Sequence, residues 1–242
     1  MRARCRRHGQ RGARGLAHEP GPLSLTPAFV PTCGAVVTDT AGPAVGLADA
    51  IKARSLSADV FMSADAHVNQ TLIGAANGDW ARWYLTFSRN EEVISYTSKT
   101  PFYADLEKAR LGEIPWHHVL TEPGFVLGRT DPNTDPGGYY ALFVARLAES
   151  YYRIPGLAEH LLGSDQNPAE VIPPPFTKTG AGAVPDATFG YLSSAVDQGL
   201  HYIALPPQIN MSDPSLANVT PPLATGTPRT GSRSAARRFT TA

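Results

Sequence analysis

From about Gly42 to Leu205, short runs of β-forming residues alternate with stretches of helical periodicity, and this alternation limits the fold more than any other feature. Ala58–Met62, Trp83–Phe87, Val93–Tyr96, Ala187–Tyr191 and His201–Leu205 are rich in β-branched and aromatic residues and read as strands. Gly42-Pro43 opens a helical segment carrying apolar Val45, Leu47, Ala48 and Ile51, and proline suits a first turn. Between Tyr139 and Tyr152, Phe143, Leu147 and Tyr151 recur at a spacing of four, which predicts a helix with those residues on its buried stripe. Leu157–Leu162 and the residues after Tyr191 through Val196 predict two short helices. Strands and helices in this order make an α/β protein.

Charge is distributed unevenly behind a net value of zero. Residues 1–15 hold six arginines and residues 221–242 four more, with no acid in either segment. Removing those ten from the 21 basic residues leaves eleven against 21 acidic ones in the body. Basic ends can contact nucleic acid, but these lack lysine, interleaved aromatics and helical period, so the expectation is disorder and no nucleic-acid partner. The positive start is not followed by an apolar stretch, so no signal peptide is visible, and no run approaches the ~18–20 apolar residues of a membrane span. Cys5 and Cys33 have no partner cluster and indicate neither a disulfide framework nor a zinc site.

Two places put a helix start after a polar loop. Ser63-Ala64-Asp65 follows the Ala58–Met62 run, with Asp65 placed to cap the next helix. Asp135-Pro136-Gly137-Gly138 closes a loop beginning at Asp131, with Asp135 or Thr134 as cap and Pro136 at the first helical position. Free N–H groups and the positive end of the helix dipole suit an anion at such places, and glycine lets an oxyanion approach the backbone. Tyr191, at the end of a strand, adds a phenolic donor. Serine, backbone N–H and tyrosine together could bind a tetrahedral dianion, although simple helix capping also accounts for either loop. Other chemistry finds little support. His117-His118 lacks the spacing and glutamate of a metalloprotease, and Walker loops, dinucleotide fingerprints and Gly-x-Ser-x-Gly elbows do not occur. Trp80, Trp83 and Tyr84 are expected to pack a lobe or hinge.

The wording of these segments resembles the molybdate/tungstate-binding extracellular solute-binding proteins of ABC importers, closest to the branch with the archaeal tungstate binders. The matching passages are Ala58–Asp65, Trp83–Glu91, Leu127–Tyr139 (the most specific), Phe189–Ala195 and Leu205–Asn210, in the right order. The resemblance implies a two-lobed periplasmic-binding-protein type II α/β fold that closes on its anion. It implies a non-enzymatic protein that needs no cofactor, its ligand being molybdate or tungstate. A monomer outside the cytoplasm with a membrane permease as partner is expected. Ser63 falls on a donor serine, Gly137 on a donor backbone N–H and Tyr191 on a donor tyrosine. Asp135 falls on a carboxylate that some members place on the metal of the oxyanion, which would expand it beyond tetrahedral.

On this resemblance, residues 25–95 form a partial first lobe and 96–205 a second. Residues 206–220 begin a return to the first lobe, and 1–24 and 221–242 are disordered tails. Three family features are not found: the first-lobe Gly-Ser loop, the helix and acidic second ligand before Phe189, and the closing elements after Thr220. Such ends are what a shifted reading frame would give, so a degenerate remnant without ligand stands as the alternative, followed by a binder of another oxyanion such as sulfate.

Overall fold

The computed structural model describes residues 13–16, 38–163 and 185–216. The readings made for Cys5, Cys33, residues 173–184 and the arginine-rich ends lie outside the described residues. The chain divides into two compact units, residues 1–85 and 86–242. That division falls ten residues before the boundary read from the sequence. The cause is visible in the pairing of the strand Glu92–Tyr96, both of whose neighbours lie in the second unit.

In the first unit, β1 (Ala13–Leu16), β2 (Thr38–Ala41) and β3 (Phe61–Met62) form a parallel sheet in the order β2-β1-β3. β1 corrects the expectation of disorder through residue 24, since it is the central strand. Four residues within arginine- and glycine-rich text carry no period-two signal, which is why it was missed. β3 is shorter than the five-residue strand expected, because only Gly15 and Leu16 of β1 stand opposite it. Helix α1 (Ala44–Lys52) begins directly after Pro43, as the sequence implied. Its Ala44, Leu47 and Ala48 pack with Val68 of α2 (Ala66–Gln70) and with Leu72, while Ile51, Leu56 and Phe61 flank them. The run Trp83–Phe87 is not a strand. Trp83, Leu85 and Phe87 are 76%, 70% and 64% exposed, so the expected packing of Trp83 is also not found. Trp80 instead lies under the Arg54 guanidinium, 5.8 Å from the ring centroid, and the Tyr84 hydroxyl accepts a hydrogen bond from Gln70 Nε2 at 3.3 Å.

The second unit is built on a four-stranded mixed sheet of β4 (Glu92–Tyr96), β5 (Leu127–Gly128), β6 (Ala187–Tyr191) and β7 (His201–Ala204), ordered β5-β6-β4-β7. β4 runs antiparallel to both neighbours and β5 parallel to β6. Val93 and Ile94 are both inaccessible, so the strand is covered on its two faces. β6 buries Ala187, Phe189 and Tyr191 and half-covers the residues between, a period-two pattern. Helices α3 (Tyr103–Arg110) and α4 (Trp116–Leu120) pack together, and α3 also meets β7. The longest helix, α5 (Pro136–Tyr152), lies on β4 and β6 and pairs with α6 (Leu157–Leu162). Its start is as read: Asp135 caps it and Pro136 is its first residue. Its buried face is not. Tyr140, Ala141, Val144, Ala145, Leu147 and Ala148 face inward, whereas Tyr151 is exposed and Phe143 half-buried. Tyr140 meets Tyr191 of the sheet directly. A short helix α7 (Leu192–Asp197) follows β6.

Just after β7 the chain is tied back to the start of β4. The Glu92 N–H donates to Asn210 O at 2.9 Å, and Asn210 Nδ2 donates to Glu91 Oε2 at 2.8 Å. Ile209 and Met211 are buried there. Asn90 completes the tie, its amide donating to Ser193 Oγ at 2.7 Å.

Candidate functional site

Asp135 sits at the junction of a tight loop and α5. The loop is held by its own carbonyl and carboxylate: Asp131 O accepts from the N–H groups of Thr134 and Asp135, and Asp131 Oδ1 accepts from Asn133 N at 2.9 Å. Asp135 Oδ1 then accepts from Gly137 N at 3.3 Å, and Asp135 O from Gly138 N at 3.0 Å. The first of these is long for a capping bond. Burial pushes the Asp135 carboxyl above its usual range. The neighbouring Thr130 hydroxyl and the hydrogen bond from the Gly137 N–H pull the other way, and the Asp131 charge adds to the rise.

The two glycines have different reasons to be glycine. A Cβ on Gly138 would stand 2.5 Å from Pro132 N and Thr130 O, so the loop backbone passes directly over it. A Cβ on Gly137 would stand 3.3 Å from Thr130 Oγ1 and 3.7 Å from Asp135 Oδ2, beside the polar groups that frame the helix start. Gly137 thus keeps space open at the cap, and Gly138 is required for the loop to close.

Tyr191 ends β6 with its side chain 5% exposed, facing Glu92 across the β4–β6 ladder. Residues directly opposite in an antiparallel pair project from the same face. Tyr140 of α5 meets the Tyr191 ring edge-on at 6.3 Å between centroids. Burial raises the Tyr191 phenol well above its ordinary range, with smaller contributions from Glu92, Tyr140, Asp135 and Tyr139. It therefore remains a neutral O–H at any working pH. Glu92 itself is inaccessible to solvent, and neither of its carboxyl oxygens has a hydrogen-bond partner among the described residues. Burial, and then the Asp135 charge, hold its carboxyl well above the usual carboxylate range.

Ser63 belongs to the first unit. It is 7% exposed, and its hydroxyl is engaged locally, donating to Asp65 O at 2.9 Å and accepting from Asp65 N at 3.0 Å. Asp65 caps α2 through His67 N at 2.7 Å, as the sequence implied. Of the four expected residues, then, Asp135 and Gly137 start the helix that packs on β4 and β6, Tyr191 ends β6, and Ser63 stands in the other unit. Sequence reasoning missed Glu92. The signal was available: an acid within Glu92-Val93-Ile94-Ser95-Tyr96 shares a face with Ile94 and Tyr96, both buried. It also missed Arg129, a buried cation directly after β5. Among the described residues, no group of three or more His, Cys, Asp or Glu side chains is placed to hold a metal ion, and no helix is long and apolar enough to cross a membrane.

Comparison with known proteins gives this arrangement a context. A solute-binding protein of Petrotoga mobilis, otherwise uncharacterized, is 33% identical over 188 residues, covering 75% of this chain and 55% of that protein. The molybdate/tungstate-binding protein WtpA of Thermococcus kodakarensis is 34% identical over 162 residues, covering 58% of this chain and 44% of its own length. The chain thus spans about half the length of the curated relatives it matches. The solved sulfate-binding protein SubI of Mycobacterium tuberculosis superimposes with a TM-score of 0.54 over 79% of this chain and 69% of that one, at 16% identity, a likeness of fold. The fold class is accordingly the α/β type II fold of periplasmic binding proteins, as the resemblance implied. The family of bacterial extracellular solute-binding proteins matches residues 25–242, and the chain belongs to it.

Proposed function

We propose that the protein is the solute-binding component of an ABC importer, taking molybdate or tungstate. One observation carries most of the weight: the helix that Asp135 caps packs across β4 and β6, where the Tyr191 phenol and a buried Glu92 stand opposite each other. A helix start with an open glycine and a neutral phenol is the kind of surface that holds a dianion without a countercharge. The relative named for molybdate and tungstate supports the choice of ligand. No step of catalysis is needed; binding and release are the function. The protein would act outside the cytoplasm as a monomer and hand its anion to a membrane permease.

Asp135 is the discriminating residue. An anion that takes the Gly137 N–H competes with the Asp135 carboxylate now on it, and two negative groups there repel. The conflict disappears if the carboxylate ligates the hexavalent metal, which we assign as its role. Titration by calorimetry with tungstate tests this. Asp135→Asn caps a helix as well as Asp, so the fold should survive while tungstate affinity falls at least tenfold. Unchanged or improved affinity would return Asp135 to capping alone. Tyr191→Phe keeps the packing but loses a donor to a charged group, worth about 1.5–3 kcal/mol, and should weaken binding by roughly 10- to 150-fold. Binding unaffected by Tyr191→Phe would remove the phenol from the site.

A further inference from the structure

A carboxyl group buried without a partner is costly and needs a reason. Glu92 begins the central strand of its sheet, where its neighbours on the same face are Ile94 and Tyr96. Its backbone is fully used, with N–H on Asn210 O, but neither side-chain oxygen has a hydrogen-bond partner among the described residues. The ladder sets it opposite Tyr191, and α5 packs across both strands with Tyr140 against the Tyr191 ring. The titratable groups that act on it are Asp135 at the α5 cap and Tyr191, opposite it on β6; Tyr139 and Tyr140 of α5 act in turn on Tyr191. α7 brings only Asp197, which is exposed, and β7 brings His201 and Tyr202 opposite Tyr96 and Ser95, at the far end of the strand. Buried Arg129 directly follows β5, the strand on the other side of β6.

Resting on the oxyanion reading above, we infer that Glu92 is a further residue of that site, a carboxylic acid that stays protonated and donates its O–H to the bound oxyanion. A protonated acid is a neutral donor, like the Tyr191 phenol beside it, and adds no repulsion. An ionised one would face both the anion and Asp135. The orphaned oxygens are then explained: the group lacks a partner in the protein because its partner is the ligand. Burial with the Asp135 charge, which hold the proton on, serve the same end. Binding consequently becomes linked to one proton. Above the pH at which Glu92 ionises in the free protein, each complex formed takes up a proton, and affinity falls toward a limit of about tenfold per pH unit.

The test is calorimetric titration of the full chain with tungstate between about pH 6.5 and 9, in buffers of different ionisation enthalpy, for the wild type, Glu92→Gln and Glu92→Leu. Glu92→Gln keeps a neutral donor and should bind with a flat pH profile and no proton uptake. The wild type should lose affinity and take up a proton at the alkaline end. Glu92→Leu, which fills the space without a donor, should bind at least tenfold more weakly than Glu92→Gln. Three results overturn the inference while leaving the oxyanion reading standing. These are equal pH profiles for wild type and Glu92→Gln, full affinity in Glu92→Leu, and loss of binding in Glu92→Gln at every pH, which would require an ionised carboxylate. No binding of tungstate or molybdate by the wild type at any pH would overturn both.

Discussion

Gly138→Ala should cost the protein up to about 2 kcal/mol net and lower its melting temperature by up to roughly 4–8 °C. Two effects oppose each other. Alanine in place of glycine inside a helix gains about 1 kcal/mol. Against that, the new Cβ would lie 2.5 Å from two backbone atoms and 2.6 Å from a third, Asp131 C. Backbone cannot rotate away as a side chain can, so residues 130–132 would have to move, and they carry the turn that presents Asp135. Overpacking of this kind costs about 1–3 kcal/mol and sometimes more, and each kcal/mol moves the midpoint by about 2–4 °C in a chain of this size. Gly137→Ala is the contrasting case. Its Cβ meets the end of the Thr130 side chain, which can turn, so stability should stay within about 1 kcal/mol of the wild type. Tungstate affinity should nevertheless fall about tenfold, since the methyl stands in the space beside the cap. Thermal melts and titrations of the two variants separate these outcomes; equal stability for both would contradict the packing described for Gly138.

Glu92→Met should stabilise the ligand-free protein by roughly 1–3 kcal/mol at neutral pH, the cost of a buried polar group without a partner. The sign of the pH dependence follows from linkage. In the unfolded chain a glutamate ionises near about 4.3, whereas burial and the Asp135 charge raise the folded value well above this. Between the two, the unfolded state has released a proton that the fold retains. Stability is therefore greatest below the unfolded value and falls as pH rises through that window. Glu92→Met removes the Glu92 part of this decline, leaving a smaller one from Asp135, whose carboxyl is also raised. Urea melts at several pH values measure it. A variant less stable than the wild type at neutral pH would mean that the carboxyl has a partner holding it. Gain of stability with loss of tungstate affinity is the pattern of a group kept for binding at a cost in folding.

Much of this arrangement was legible in the sequence, for local reasons. The α5 start was readable because Asp, Pro, Gly and Gly each have a definite preference at a helix N-terminus, and β6 because its alternation is complete from Ala187 to Tyr191. What was not legible depended on partners distant in the chain. β1 is a strand because β2 and β3 pair with it, which its own four residues do not announce. Trp83–Phe87 has strand composition but no strand beside it, and remains exposed. The buried stripe of α5 was misread because large residues at a spacing of four outweighed alanines, although Ala141, Ala145 and Ala148 are among its buried residues. Glu92 was passed over because strand propensity describes its neighbours and says nothing of an acid among them.

The measurement that tests the central claim most directly is a thermal melt of the full chain with and without molybdate, tungstate, sulfate and phosphate. A ligand at a hundred times its dissociation constant stabilises the folded state by about 2.7 kcal/mol, which is a shift of several degrees. The expected result is such a shift with molybdate or tungstate and none with sulfate or phosphate at the same concentration. A cooperative melt indifferent to all four anions would contradict the account, leaving the fold without the ligand site proposed for it.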